Sequence, residues 1–369
     1  MKEKFIPADK QNFDRRQRFI ILHYTVLDEQ DSVEVLTHGG VGAHYLIPKQ
    51  PFKFENSNDY YDYYYFVKIR NRAWHAGRSE FGGRSGLNDT SIGIEIVNYG
   101  YGLVQGPGKV LFTYEVENQL KEFINQTLQV QDKNLYQLLI EEKLLTAFLA
   151  DMMRSLIPPR DRKKYKEKVS QDYITQYKKL TNEWRIENDS FLNIAQKDLY
   201  QLEQQGKLTW DEYTDHQIDC LVNLITEIQE KLALKDKQGI YYQIAPQFIT
   251  GHADIAPGRK TDPGPRLLKK LAARGIGAWP DEKLVVKNEK EIQIGQGIDY
   301  KWIQNNLNLY GYKIESTGQL DEQTRDVIRT FQMHFEPENY SGKPSVKTIS
   351  ILEALIKKYY SNQQSDYPR

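Results

Sequence analysis

The sequence predicts an α/β domain, a central mixed β-sheet flanked by helices, that carries an α-helical insertion and is followed by a small C-terminal three-helix domain. Three observations predict it. Short apolar runs separated by glycine and polar turns fill the first 128 residues. Residues 129–211 are charged and apolar only at helical spacing, with almost no β-like pattern. Strand texture then returns near Phe248, before a last stretch that is helical throughout. The flanks 1–128 and 212–290 therefore read as one domain, 129–211 as an insertion in it, and 291–369 as a separate module with its tail. A chain of 369 residues is longer than one core usually holds, so several units are expected.

The elements follow in order. Residues 19–22 (Phe-Ile-Ile-Leu), 64–67 (Tyr-Tyr-Phe-Val) and 92–97 (Ile-Gly-Ile-Glu-Ile-Val) are strand-like, and 114–128 reads as a helix. The tyrosines at 60, 61, 63, 64 and 65 suit a β-strand as well as a sugar- or peptide-binding face. In the insertion, Leu135, Leu138, Leu139, Leu145, Leu149, Met152 and Leu156 keep helical spacing until Pro158 and Pro159 stop it; further helices are expected over 162–185 and 189–205. A helix resumes over 210–232 with Cys220 on its buried side. Residues 248–250 form the last strand, and three prolines and two glycines fix the path of the loop 252–265. A polar linker is expected from 282 to 297, then a compact helical unit over 298–360 and a frayed tail over 361–369.

Composition narrows the function. With 50 basic and 50 acidic residues the net charge is zero, which argues against nucleic acid as partner and leaves a weakly charged glycan open. One cysteine excludes an internal disulfide framework, and no apolar run has the length of a membrane span. No apolar signal segment follows the charged start, so either the protein acts in the cytosol or a leader has been removed.

Chemistry concentrates at a few positions. His23 and His252 each follow an apolar strand, where a strand end delivers a side chain to a sheet edge. Asp262 lies in the rigid loop after His252. Two imidazoles and a carboxylate make a three-ligand site with a position left for water; zinc binds such ligands at about 2.0–2.2 Å and lowers the pKa of its water to about 7. The same set suits non-haem iron, and either histidine alone reads more readily as a structural residue than as a ligand. Glu95, in an apolar run, is a raised-pKa general base or an edge glutamate facing solvent. Lys260 is an oxyanion-stabilising cation or a solvated loop lysine.

Five segments give these residues a common identity: Ile20-Ile21-Leu22-His23-Tyr24-Thr25, Ala43-His44-Tyr45-Leu46-Ile47, Ala73-Trp74-His75-Ala76-Gly77, residues 87–95 (Leu-Asn-Asp-Thr-Ser-Ile-Gly-Ile-Glu), and 251–265 with its Asp-Ile-Ala-Pro-Gly-Arg-Lys-Thr-Asp-Pro-Gly-Pro. In this order they resemble the bacterial N-acetylmuramoyl-L-alanine amidases related to phage lysozyme-type amidases and animal peptidoglycan recognition proteins. Gly275-Ile276-Gly277-Ala278-Trp279-Pro280-Asp281 is similar to the AmiD-type branch. The resemblance implies a recognition-protein-like fold, one zinc ion held by His23, His252 and Asp262, Glu95 as the catalytic glutamate and Lys260 as the residue steadying the oxyanion. It implies hydrolysis of the amide between N-acetylmuramic acid and L-alanine by a zinc-activated water, in cell-wall turnover or recycling. His75 and Asn88 fall in motifs that line the substrate cleft, and His44 lies in a motif without being a ligand. His38, His216 and His334 match nothing catalytic.

The last zone carries its own likeness. Trp302-Ile303-Gln304-Asn305-Asn306-Leu307, Tyr310-Gly311-Tyr312, Thr324 and Phe331-Gln332-Met333-His334-Phe335 resemble the three-helix peptidoglycan-binding domain, which implies peptidoglycan or muropeptides as partners. The insertion is a departure from the family pattern; a lid, a docking arm for a protein partner, a dimerisation surface and an inert appendage all fit it. A non-catalytic peptidoglycan receptor of the same fold is the alternative, but such receptors typically lose a zinc ligand, and all three are present here. A zinc peptidase would want a His-Glu-x-x-His helix, which the sequence lacks. The expected location is the bacterial cell envelope, in the periplasm or at the outer membrane, although no cysteine near the start offers a lipid anchor.

Overall fold

A computed structural model describes residues 16–54, 57–142, 144–145, 148–149, 166–187, 194–235, 241–292 and 297–360. The chain opens with β1 (Phe19–Tyr24), α1 (Glu29–His38), β2 (Tyr45–Ile47), β3 (Tyr64–Tyr65), β4 (Glu80–Phe81), β5 (Arg84–Ser85), β6 (Ser91–Ile96), β7 (Tyr101–Gly106) and β8 (Lys109–Phe112). A helical stretch follows: α2 (Thr113–Gln131), α3 (Lys133–Glu141), α4 (Gln171–Glu187) and α5 (Leu199–Gln204). Then come β9 (Leu208–Trp210), α6 (Asp215–Leu232), β10 (Leu234–Lys235), β11 (Tyr241–Tyr242), β12 (Ile249–Gly251), α7 (His252–Ile255) and α8 (Leu267–Ala272). The chain closes on α9 (Glu282–Glu291), α10 (Tyr300–Tyr310), α11 (Glu322–Phe335) and α12 (Val346–Tyr359).

The central sheet has the order β12-β1-β6-β2-β3, parallel except for the edge strand β3. Alternation along the strands sorts its two faces. Ile20, Leu22, Ile92, Ile94 and Ile96 point one way and pack under α6 through Ile218, Leu221, Leu224, Ile225 and Ile228. The spacing of those helix residues makes one apolar stripe, and Thr214 with Gln217 closes the helix start in a capping box. Each such fully buried side chain contributes about 1.5–3 kcal/mol.

Phe19 and Ile21 point the other way, into a core shared with Phe81, Leu87, Trp302, Phe331 and Phe335. The C-terminal helices are thus built onto the same sheet face. A buried polar cluster fastens them there. Asp254 of α7 accepts from the Tyr312 hydroxyl at 2.5 Å and the Thr250 hydroxyl at 2.5 Å, and its Oδ2 lies 3.0 Å from His334 Nδ1. All four side chains are buried.

Three expectations changed on folding. Residues 208–210, placed by the sequence at the end of the helical insertion and the start of the next helix, form strand β9, which pairs antiparallel with β7 in a second sheet of order β8-β7-β9. Leu208 and Trp210 are buried there, so a three-residue strand settled by cross-strand contacts had no helical or alternating pattern long enough to announce it. The polar linker expected after Asp281 begins with helix α9: Asp281 caps it by accepting from the Lys283 and Leu284 N–H groups, and Val285 and Asn288 are buried. Only Tyr64 and Tyr65 of the tyrosine cluster pair as a strand, with Tyr60 and Tyr65 exposed. The helix expected over 114–128 is α2, and the expected helices of the insertion persist in part as α3, α4 and α5, while residues 150–165, 188–193 and the tail 361–369 lie outside the described residues. Among the described residues no helix is long and apolar enough to cross a membrane.

Candidate functional site

The site stands at the carboxyl ends of the parallel strands, where open α/β sheets bind ligands. His23 is the fifth residue of β1 and lies in register with Glu95 on β6, so both side chains leave the same face. Leu22 is in register with Gly251, which sets His252 at the next position beyond β12. The loop that follows is drawn back over this point: the Ala253 N–H donates to the Asp262 carbonyl at 2.8 Å, and a Cβ at position 251 would lie 2.4 Å from Pro263. Glycine before His252 is what permits that approach.

The structure brings His23, His252 and Asp262 together. His23 Nδ1, His252 Nδ1 and Asp262 Oδ2 form a triangle with all three sides 3.0 Å, and the three side chains are buried. Burial and then repulsion from His252 lower the His23 pKa to about 4. Burial alone would raise the Asp262 carboxyl, but the charges and hydrogen bonds of His252 and His23 hold it well below the usual range. Three buried ligand atoms drawn together in this way, two of them imidazole nitrogens, are suited to a cation. Tetrahedral zinc with bonds of about 2.0–2.1 Å wants its ligand atoms roughly 3.3 Å apart, close to this spacing. Among the described residues this is the group of His, Cys, Asp and Glu side chains able to hold a metal ion.

The second ring nitrogen of each histidine is also placed. His252 Nε2 donates to the Ala76 carbonyl at 3.1 Å, and His23 Nε2 lies 2.9 Å from His75 Nδ1. His75 Nε2 lies 3.0 Å from Ser91 Oγ. Both ring nitrogens of His75 are therefore engaged inside the protein, although the ring lines the cleft. Burial, then the neighbouring His23, holds its pKa well below the ordinary value. Asn88 is not on the cleft wall; its Oδ1 accepts from the backbone N–H groups of His75 and Ala76 at 3.0 and 2.8 Å. The sequence had placed both residues toward substrate, and the folded chain uses Asn88 to hold the segment that carries His75. His44 is a packing residue: its Nδ1 accepts from the Gly93 N–H at 3.0 Å.

Glu95 faces the triangle with a buried Oε2 that has no hydrogen-bond partner. Burial, reinforced by Asp262, raises its pKa to about 8, and Lys260 opposes the rise. The cleft, about 240 Å³, has these polar groups as floor, while Leu27, Val35, Leu36, Val41 and Trp74 make an apolar wall. Sequence reading missed this wall, since its members sit in α1 and in flanking loops with no periodic signal. It also missed Ser91, whose hydroxyl looks ordinary until the strand faces are known.

The family model of N-acetylmuramoyl-L-alanine amidases matches residues 13–139 and 165–265, and that of the peptidoglycan-binding domain matches 296–352. The N-acetylmuramoyl-L-alanine amidase AmiD of Escherichia coli K12 is 27% identical over 345 residues, spanning 93% of this chain and 84% of that protein. The crystal structure of AmpDh3 from Pseudomonas aeruginosa with an anhydromuramic pentapeptide superposes with a TM-score of 0.61 at 27% identity, covering 97% of this chain and 98% of that one. A structure of E. coli AmiD with anhydro-N-acetylmuramic acid-L-Ala-D-γ-Glu-L-Lys gives 0.58 at 25% identity, with 95% and 93% covered. Relatives thus span most of the stretch read as an insertion, and only residues 140–164 interrupt the amidase match. The chain belongs to the N-acetylmuramoyl-L-alanine amidase family.

Proposed function

We propose that this amidase cuts the bond between N-acetylmuramic acid and the L-alanine of the stem peptide with one zinc ion held by His23, His252 and Asp262. The observation that carries the reading is the 3.0 Å triangle of His23 Nδ1, His252 Nδ1 and Asp262 Oδ2, faced by the unpartnered Glu95 oxygen. When bound there, zinc supplies Lewis acidity toward the lactyl carbonyl and toward the attacking water.

The remaining steps belong to the chain's own side chains. Glu95 takes the proton of the attacking water; a carboxylate whose pKa is raised by burial is a stronger base than a solvated one. Lys260 stands in the same cleft and offsets the negative charge that grows on the carbonyl oxygen. Glu95 then returns the proton to the alanine nitrogen, which leaves as an amine because an amide anion is too basic to depart. The apolar wall of Leu27, Val35, Leu36, Val41 and Trp74 flanks the cleft in which the reacting carbonyl would lie. The C-terminal domain supplies a second surface for peptidoglycan, and such a substrate puts the protein to work in the cell envelope.

The test is incubation of the full chain with purified muropeptides, with and without a strong chelator, followed by mass spectrometry. Free stem peptide beginning with L-alanine, lost on chelation and restored by zinc, is the expected result. Intact muropeptides beside a protein that still sediments with the wall would mean a receptor instead.

A further inference from the structure

We propose that His75 and Ser91 are positioning residues that fix the tautomer of His23, through a one-way chain of hydrogen bonds running from the Leu87 carbonyl to the metal position. The inference rests on the zinc reading above and concerns residues outside the ligand set.

The direction of each bond follows from its fixed end. The Leu87 carbonyl can only accept, so the 2.6 Å bond from Ser91 Oγ uses the one proton of that hydroxyl. Ser91 Oγ must then accept from His75 Nε2, 3.0 Å away, which puts the His75 proton on Nε2. A neutral imidazole has one N–H, so His75 Nδ1 carries a lone pair and accepts from His23 Nε2 at 2.9 Å. With its proton on Nε2, His23 presents a bare Nδ1 to the point 3.0 Å from both His252 Nδ1 and Asp262 Oδ2. The metal end imposes the same arrangement. His23 can be a ligand through Nδ1 only if Nε2 holds the proton, and a protonated His75 would offer that Nε2 a donor where it needs an acceptor.

Strand β6 is shaped for this ring. Ser91, Gly93 and Glu95 alternate onto the site face of the sheet; Ser91 supplies the acceptor and Gly93 the space. A Cβ at position 93 would lie 2.4 Å from His75 Cγ, so no other residue admits the ring there. Asn88 holds the backbone of His75 and Ala76, and the Ala76 carbonyl gives His252 Nε2 its acceptor. One two-residue segment thereby orients both imidazole ligands, one by side chain and one by backbone. A role for His75 as a substrate contact alone would need a free ring nitrogen, and both are taken.

The experiment titrates zinc into metal-stripped full-length protein against a chromophoric chelator. His75→Leu and Ser91→Ala should weaken zinc binding roughly 10–100-fold. His75→Asn, whose Oδ1 can replace Nδ1 as acceptor, should regain most of what His75→Leu loses. Zinc binding by Ser91→Ala and His75→Leu at wild-type strength overturns the proposal, as does His75→Asn binding no better than His75→Leu. Nitrogen-15 NMR of ring-labelled, zinc-loaded wild type reads the tautomers without any substitution. Protons on Nε2 of both His23 and His75 are expected, and a His75 proton on Nδ1 overturns the chain even if a variant fails to fold. Wild-type protein that binds no zinc would sink the metal reading itself, whereas tight wild-type binding with unaffected variants sinks only the tautomer lock.

Discussion

The two helical additions to the sheet domain relate to it in opposite ways. The C-terminal helices share a core with the sheet, where Phe331, Trp302 and Phe335 pack with Phe19, Ile21 and Leu87, and they reach the loop that carries His252 and Asp262 through Asp254, two residues beyond His252. The arm built from α2, α3 and α4 closes a core of its own. Leu120, Ile124, Leu128, Leu135, Leu139, Leu144, Phe148, Val169, Ile174 and Tyr177 make it up, and none comes from the central sheet. Similar helices, differently joined, have different reach. A defect in the first should be felt at the active site, and a defect in the second should stay where it is made.

The largest effect belongs to the fused unit. Glu95→Gln removes the proposed base while keeping the shape, and kcat should fall about 10²–10⁴-fold with zinc content unchanged, as read by muropeptide cleavage and metal analysis. No substitution in the arm core should approach that. Next comes the buried lock. Asp254→Ala strands His334 and Tyr312 in the interior and should cost about 3–5 kcal/mol, measured by denaturant unfolding, together with weaker zinc binding because the His252 loop loosens. Leu139→Ala in the arm should cost about 2–5 kcal/mol of local stability, visible as faster amide exchange over α2 to α4, with kcat/KM unaltered. If that variant also lost zinc or activity, the separation drawn between the two additions would be wrong.

Smaller effects sharpen the same line. Lys260 holds down the Glu95 pKa that burial raises to about 8. A protonated Glu95 cannot accept a proton, so activity falls as pH falls through its pKa, and Lys260→Met should move that acid limb of the kcat/KM profile upward. A zinc ion held at the site, also a cation, would act in the same direction as Lys260. The smallest expected effect is at the rim of the fused interface. The exposed Lys313–Glu80 pair, at 2.7 Å, joins the two units at the surface, and Lys313→Ala should change unfolding stability by at most about 1 kcal/mol.

Much of this was legible in the residue order. The strands 19–22, 92–97 and 248–250 announced themselves because buried strands are short apolar runs, and the three C-terminal helices through their resemblance to the peptidoglycan-binding domain. His23, His252 and Asp262 stood out by residue type in an apolar or rigid setting, and the folded chain does gather them. Strand β9 and helix α9 were not legible. The first is three residues long, and the second is polar on all but the face that α12 covers.

By itself, then, the sequence determined the chemistry on offer: which side chains can bind a metal, which can move a proton, and which segments are strand or helix. Those are properties of residue type and of local period. Only the tertiary structure decided that Ser91 and His75 stand behind His23, that Asn88 holds backbone rather than lining the cleft, and that Asp254 ties the C-terminal helices to the loop of His252 and Asp262. The physical reason is that hydrogen-bond partners 16, 52 or 80 residues apart meet only once register and face are set by burial of the sheet, and neither is encoded in any short window of the chain.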